Sequence, residues 1–190
     1  MVLRNRTFKQ KRAQETYAAI LEAAARVFPR LGFDGTQTPD IATEAGVSTG
    51  AVYRYFRDKR QIFLEMVELQ LAHRQREVQE RLSAVAAAEV ASDPAAAVTH
   101  VLETLFDQAK KDAALTRVFL ALSLTDPDVA AIRATADATD RAVLASFIEA
   151  AIPRPIVPDP AATAFVVQVT AVSLAVELAL RRRKPRASSD

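Results

Sequence analysis

In the stretch from residue 38 to 59, TPDIATEAGVSTGAVYRYFRDK, hydrogen-bonding side chains recur at a spacing that gathers them on one face of a short helix. Ser48 has the chemistry of an N-cap, its hydroxyl accepting a free backbone N–H, and the helix it opens runs to about Tyr55. The exposed face of that helix carries Thr49, Gly50, Tyr53 and Arg54. Short side chains at its start let a partner approach the backbone, and the hydroxyl and guanidinium donors that follow suit phosphates or base edges. A shorter helix precedes it, from about Pro39 to Ala45, with Thr38 as its expected N-cap and Pro39 at the first helical position. Ala45-Gly46-Val47 joins the two, and glycine permits the left-handed backbone of a tight turn. Ile41, Ala42, Val47, Val52 and Phe56 are the apolar residues that fill the angle between them. Two short helices so joined form a helix-turn-helix, whose second helix fits a DNA major groove.

Other chemistries lack their residues. The chain has no cysteine, and its two histidines, His73 and His100, stand far apart, so neither a disulfide nor a metal site is expected. No nucleophile elbow, phosphate loop or paired His and Ser arrangement occurs, and neither an enzyme nor a cofactor is expected. The formal net charge of +2 conceals a division. Residues 1 to 60 hold eleven Lys/Arg against six Asp/Glu, whereas residues 61 to 180 hold nine against sixteen. A polyanion is the expected partner of the first part only. The N-terminal arm adds Arg4, Arg6, Lys9, Lys11 and Arg12 before its first acid, Glu15, a pattern suited to phosphates or a minor groove. It lacks the apolar run of a secretory signal, and the expected compartment is the cytoplasm.

The elements that must position this face are all helical. The four glycines, Gly32, Gly35, Gly46 and Gly50, lie within nineteen residues, and the chain after them is dominated by strong helix formers. Tyr17, Ile20, Leu21, Ala24, Val27, Phe28 and Leu31 mark one face of a first helix, with Gly32 as its stop and Pro29 expected to kink it or end it early. Further helices are expected at about 59 to 88, 94 to 111, 113 to 124, 126 to 152 and 161 to 182, with a proline-rich loop at 153 to 160.

The run GFDGTQTPDIATEAGVSTGAVYRYFRDKRQIF, preceded by ILEAAARVF, closely resembles the DNA-binding domain of the TetR family of transcriptional regulators. The agreement lies in the Ala-Ala-x-x-x-Phe of the first helix, Gly32-Phe33, Thr38, Ile41-Ala42, Ala45-Gly46-Val47-Ser48, Gly50, Tyr53-x-Tyr55-Phe56 and Lys59, and covers roughly residues 15 to 67. The resemblance implies that Gln37 and Thr38 meet phosphates, that Thr49, Gly50 and Ala51 face base edges, and that Tyr53, Arg54, Tyr55 and Lys59 hold the DNA backbone. The residues themselves support Thr38, at a helix N-terminus, and Lys59, as a point charge. Ser48 joins this set. Pro39 and Pro29 depart from the family pattern.

The resemblance further implies an arm and DNA-binding domain over residues 1–59 and an effector-binding, dimerising helical domain over 60–190. The family's usual behaviour is that of a repressor released from a palindromic operator by a small molecule. Met66, Leu105, Phe106, Leu115, Phe119 and Leu122 are the candidate pocket lining, and few aromatic and no clustered charged residues there suggest a mostly apolar effector. The last helix is apolar for about twenty residues, but Gln168, Thr170, Ser173 and Glu177 argue against a membrane span. Its Ala171, Ala175 and Ala179, with Ala130, Ala134, Ala138, Ala142 and Ala145 of the preceding helix, suit a four-helix interface in a homodimer. The competing reading is an architectural protein that coats DNA without sequence preference or ligand.

Overall fold

The computed structural model describes residues 11–88, 94–152 and 154–181, and all regular structure among them is helical. In chain order the helices are α1 (Lys11–Gly35), α2 (Thr38–Glu44), α3 (Thr49–Tyr53), α4 (Lys59–Ala88), α5 (Pro94–Ser123), α6 (Pro127–Ala151) and α7 (Pro160–Arg181).

Three local expectations are corrected. The kink expected at Pro29 is absent there, because α1 departs from helical backbone only at Gly32 (φ 77°, ψ 170°). Proline removes one backbone bond, and the fully buried Val27 and Phe28 hold that turn against the core. Helix α2 is capped by Gln37 rather than Thr38, whose side chain is buried. The helices expected at 94 to 111 and 113 to 124 are one, α5, because Lys110-Lys111-Asp112-Ala113 contains no glycine or proline to end it.

The described chain divides into two compact units that do not follow chain order. Unit 1 takes residues up to His73 together with Val118–Arg133, and unit 2 takes Arg74–Arg117 together with the chain from Ala134. In unit 1 the rings of Phe28, Phe33 and Phe63 interlock, with Phe63 edge-on to Phe28 at 5.0 Å and to Phe33 at 5.4 Å, and Phe33 stacked on Phe28 at 5.8 Å. Ile20, Ile41, Val52, Ile62, Met66 and Val129 are fully buried in the same unit.

Unit 2 is built around Leu82, Leu144, Phe147, Ile148 and Ala164, with Val78, Val143, Ile152, Val157 and Val167 partly buried against them. Polar ties cross between its helices. Arg74 of α4 pairs with Asp140 of α6 at 2.6 Å, and Gln168 of α7 donates to the Asp137 carbonyl at 3.0 Å while accepting from Arg141 at 3.3 Å. Phe165, Val166 and Val169 of α7 are exposed. Among the described residues no helix is long and apolar enough to cross a membrane.

Candidate nucleic-acid interface

The turn between α2 and α3 is built by glycine. Gly46 takes φ +67°, its N–H donates to the Thr43 carbonyl at 3.1 Å, and the Val47 N–H reaches back to the Ala42 carbonyl at 3.0 Å. These are the two bonds of a Schellman closure, which requires a left-handed residue at this position. Helix α3 then starts at Ser48, whose Oγ accepts the Ala51 N–H at 3.2 Å, as its N-cap chemistry predicts. Val52 and Phe56 turn inward and are buried, which directs the opposite face of α3 to solvent.

The start of α2 is held by a second set of bonds. The Gln37 N–H donates to Asp40 Oδ2 at 2.7 Å, and Thr36, fully buried, donates its hydroxyl to the Gly32 carbonyl at 2.6 Å. Lys59 closes the α1–α2 connection from outside: its ammonium donates to the carbonyls of Phe33 at 3.0 Å, Asp34 at 3.2 Å and Thr36 at 2.9 Å. It also stands 4.9 Å from the centre of the Phe33 ring. Three carbonyls occupy the three protons of an ammonium. Lys59 is therefore an anchor of the helix-turn-helix in this structure, and its positive charge, rather than a donor, is what it offers a phosphate.

The residues singled out by sequence take different positions. Gln37, Ser48, Gly50, Tyr53 and Arg54 are exposed, Thr49, Ala51 and Tyr55 are half-buried, and Thr38 is buried with only 7% of its surface open. Tyr55 stands edge-on to Tyr17 at 6.3 Å, and Tyr17 stacks on Phe56 at 5.1 Å and donates its hydroxyl to Glu65. Tyr55 thus serves packing as well as any outward role. Lys11 and Arg12 of the arm are exposed on the first turn of α1, while Arg4, Arg6 and Lys9 lie outside the described residues.

Gly50 differs from Gly46. Its backbone is not in the left-handed region, and a methyl group added there would meet nothing closer than Ser48 Oγ at 4.0 Å. Neither its own backbone nor its neighbours require a glycine at that position.

Sequence reading missed one tie. Arg26 Nε donates to Glu44 Oε1 at 2.7 Å and Arg30 to Glu44 Oε2 at 3.4 Å, joining α1 to the end of α2. The Arg26 hydrogen bond chiefly holds the Glu44 carboxyl below its ordinary range. The four-residue spacing of Arg26 and Arg30 puts both on one face, but nothing in sequence pointed to Glu44.

The candidate effector residues fall in both units. Met66 is fully buried in the core of unit 1, where Phe119 and Leu122 are partly buried; Phe106 and Leu115 are partly buried in unit 2. The Leu105 side chain lies outside the described residues, as do those of Ala175 and Ala179. Among the described residues no group of His, Cys, Asp and Glu stands close enough to hold a metal.

Comparison with known proteins agrees with this geometry. Residues 20–66 match the family model of bacterial regulatory proteins, tetR family. The HTH-type transcriptional regulator AcrR of Shigella flexneri is 43% identical over 60 residues, covering 32% of this chain and 28% of that protein. The HTH-type transcriptional regulator TtgR of Pseudomonas putida is 32% identical over 109 residues, covering 57% of this chain and 50% of that protein. The chain thus spans half or less of the length of these two relatives. A crystal structure of a transcriptional regulator from a Rhodococcus species superposes with a TM-score of 0.64 at 25% identity, over 90% of this chain and 84% of that one.

Proposed function

We propose, from the match of residues 20–66 to the family model of bacterial regulatory proteins, tetR family, that the chain is a sequence-specific DNA-binding regulator rather than an enzyme. It acts as a repressor in the cytoplasm and leaves a palindromic operator when a small, mostly apolar effector binds the helical part beyond residue 60. The observation that carries the DNA-binding reading is Gly50: an exposed glycine near the start of a capped helix, required by neither its backbone nor its neighbours. Its use is external, since a residue without a side chain lets the helix start lie against base edges. Thr49 and Ala51 flank it, Tyr53 and Arg54 extend the face towards the DNA backbone, and Gln37 with the buried Thr38 marks the N-terminus of α2 as the first phosphate position. Lys59 contributes charge.

A homodimer supplies the second recognition helix, about one helical turn of DNA away. The exposed Phe165, Val166 and Val169 of α7 supply apolar surface for that association, and Ala134, Ala138 and Ala142 of α6 are small and exposed. Release by effector requires a difference of a few kcal/mol between the two states.

The test is selection of duplexes from a random-sequence library by the full chain, followed by titration of the selected duplex and a scrambled one at two salt concentrations. A preference of about a thousandfold or more supports a regulator. Equal, strongly salt-dependent affinities for both duplexes mark an architectural protein and overturn this reading.

A further inference from the structure

The first turn of α4 is the meeting point of bonds from separate parts of unit 1. Asp58 Oδ1 accepts the Gln61 N–H at 2.8 Å, and Gln61 Oε1 accepts the Arg57 N–H at 2.8 Å, so the turn is capped in both directions. Lys59 grips the α1–α2 connection through three carbonyls. The next residue, Arg60, reaches the corner between α5 and α6. Its Nε donates to Asp126 Oδ2 at 2.6 Å, and its Nη2 donates to Asp126 Oδ1 at 2.7 Å and Asp128 Oδ2 at 2.7 Å. The planar fork matches the carboxylate in two parallel bonds, a geometry that a flexible ammonium does not reproduce.

Asp126 is itself a structural element. Its Oδ1 accepts the N–H groups of Asp128 at 3.0 Å and Val129 at 3.2 Å, which makes it the N-cap of α6. Its side chain is only 13% exposed, and Val129, one turn further on, is fully buried. The Arg60 hydrogen bond chiefly holds the Asp126 carboxyl below its ordinary value. One carboxylate therefore starts a helix and receives the guanidinium, so the α6 start cannot shift without breaking the fork.

We propose that Arg60 is a positioning residue for DNA recognition: it locks the α5–α6 corner to the first turn of α4, and through the adjacent Lys59 that turn sets the placement of α2 and α3. Displacing the corner opens the fork and loosens the helix-turn-helix. The proposal rests on the reading of α3 as the DNA-contacting helix, and its test is arranged so that each can fail separately.

Amide hydrogen exchange is compared between wild type and Arg60→Met, which keeps the length of the side chain and removes the fork. The expected result is exchange about tenfold faster both at residues 128–131 and at residues 36–47, with the buried amides of α1 unchanged. The duplex selected by wild type should then bind Arg60→Met about tenfold more weakly. Faster exchange at 128–131 alone, with 36–47 at wild-type rates, overturns the proposal, because Arg60 then serves the corner only. If wild type selects no duplex, the DNA-binding reading falls while the exchange data still decide the coupling. Should Arg60→Met fail to fold, Asp128→Ala removes the acceptor of one of the three bonds at an exposed position, and a smaller rise at both sites supports coupling whereas a rise at one overturns it.

Discussion

Unit 1 and unit 2 bury their apolar residues to different depths. Among the described residues, every large side chain with under 2% of its surface open, including Phe28, Phe56 and Phe63, lies in unit 1. In unit 2 the largest core side chains, Leu82, Leu144, Phe147 and Ile148, retain 4 to 8% exposure, and Phe165, Val166 and Val169 stand open on α7. A core of interlocked rings fixes one arrangement, which an element that must meet DNA in one geometry requires. A shallower burial among the described residues, with apolar residues left outside, is consistent with the proposal that this part completes its burial against a second copy.

The largest expected effect tests that contrast. Phe63→Ala should cost about 3 to 5 kcal/mol in chemical denaturation, as for a fully buried aromatic ring. Phe147→Ala in unit 2 should cost less than about 3 kcal/mol, since its surroundings can relax. Equal costs would break the comparison.

Next is the open face of α7. Replacing Phe165 and Val169 by serine removes about 3 kcal/mol of apolar burial from each subunit of the proposed dimer. Sedimentation should then show a shift from dimer to monomer at micromolar concentration. A wild-type monomer under the same conditions would mean that self-association does not account for the exposed residues.

Lys59 sharpens the picture of unit 1. Lys59→Met strands three carbonyls and should destabilise the fold by about 1.5 to 3 kcal/mol, measured by urea titration. A loss near zero, accompanied by weaker DNA binding, would return Lys59 to the role of a direct phosphate contact.

These sites also show what was legible in sequence. The Ala45-Gly46-Val47 turn and the Ser48 cap follow from residues within a few positions of one another, where backbone preference decides. Helix α4 falls at Lys59–Ala88, within the span expected, because a cap at one end and helix formers along its length act locally. The partners of Lys59 lie 23 to 26 residues away and those of Arg60 lie 66 and 68 away, so no local pattern marks them. The break expected between 111 and 113 has no glycine or proline beneath it, and without one the helix runs on.

The smallest effect concerns pH. Hydrogen bonding from Arg60 holds Asp126 below its ordinary value of 3.8 in the folded state, so its contribution is complete above that value and is lost as pH falls through the lower folded-state value. The difference in melting temperature between wild type and Asp126→Asn should therefore be constant from neutral pH down to about 4 and shrink below it. A difference that persists unchanged into stronger acid would assign the effect to the α6 cap rather than to the charge pair.

The most direct measurement of the central claim uses Gly50→Ala. Alanine is favoured over glycine in a helix by up to about 1 kcal/mol, and the added methyl meets nothing closer than 4.0 Å. The variant should melt at or above the wild-type temperature while binding the wild-type-selected duplex about tenfold or more weakly, because the new methyl stands where base edges approach. A variant that binds that duplex with wild-type affinity would contradict the assignment of the α3 face as the surface that reads DNA.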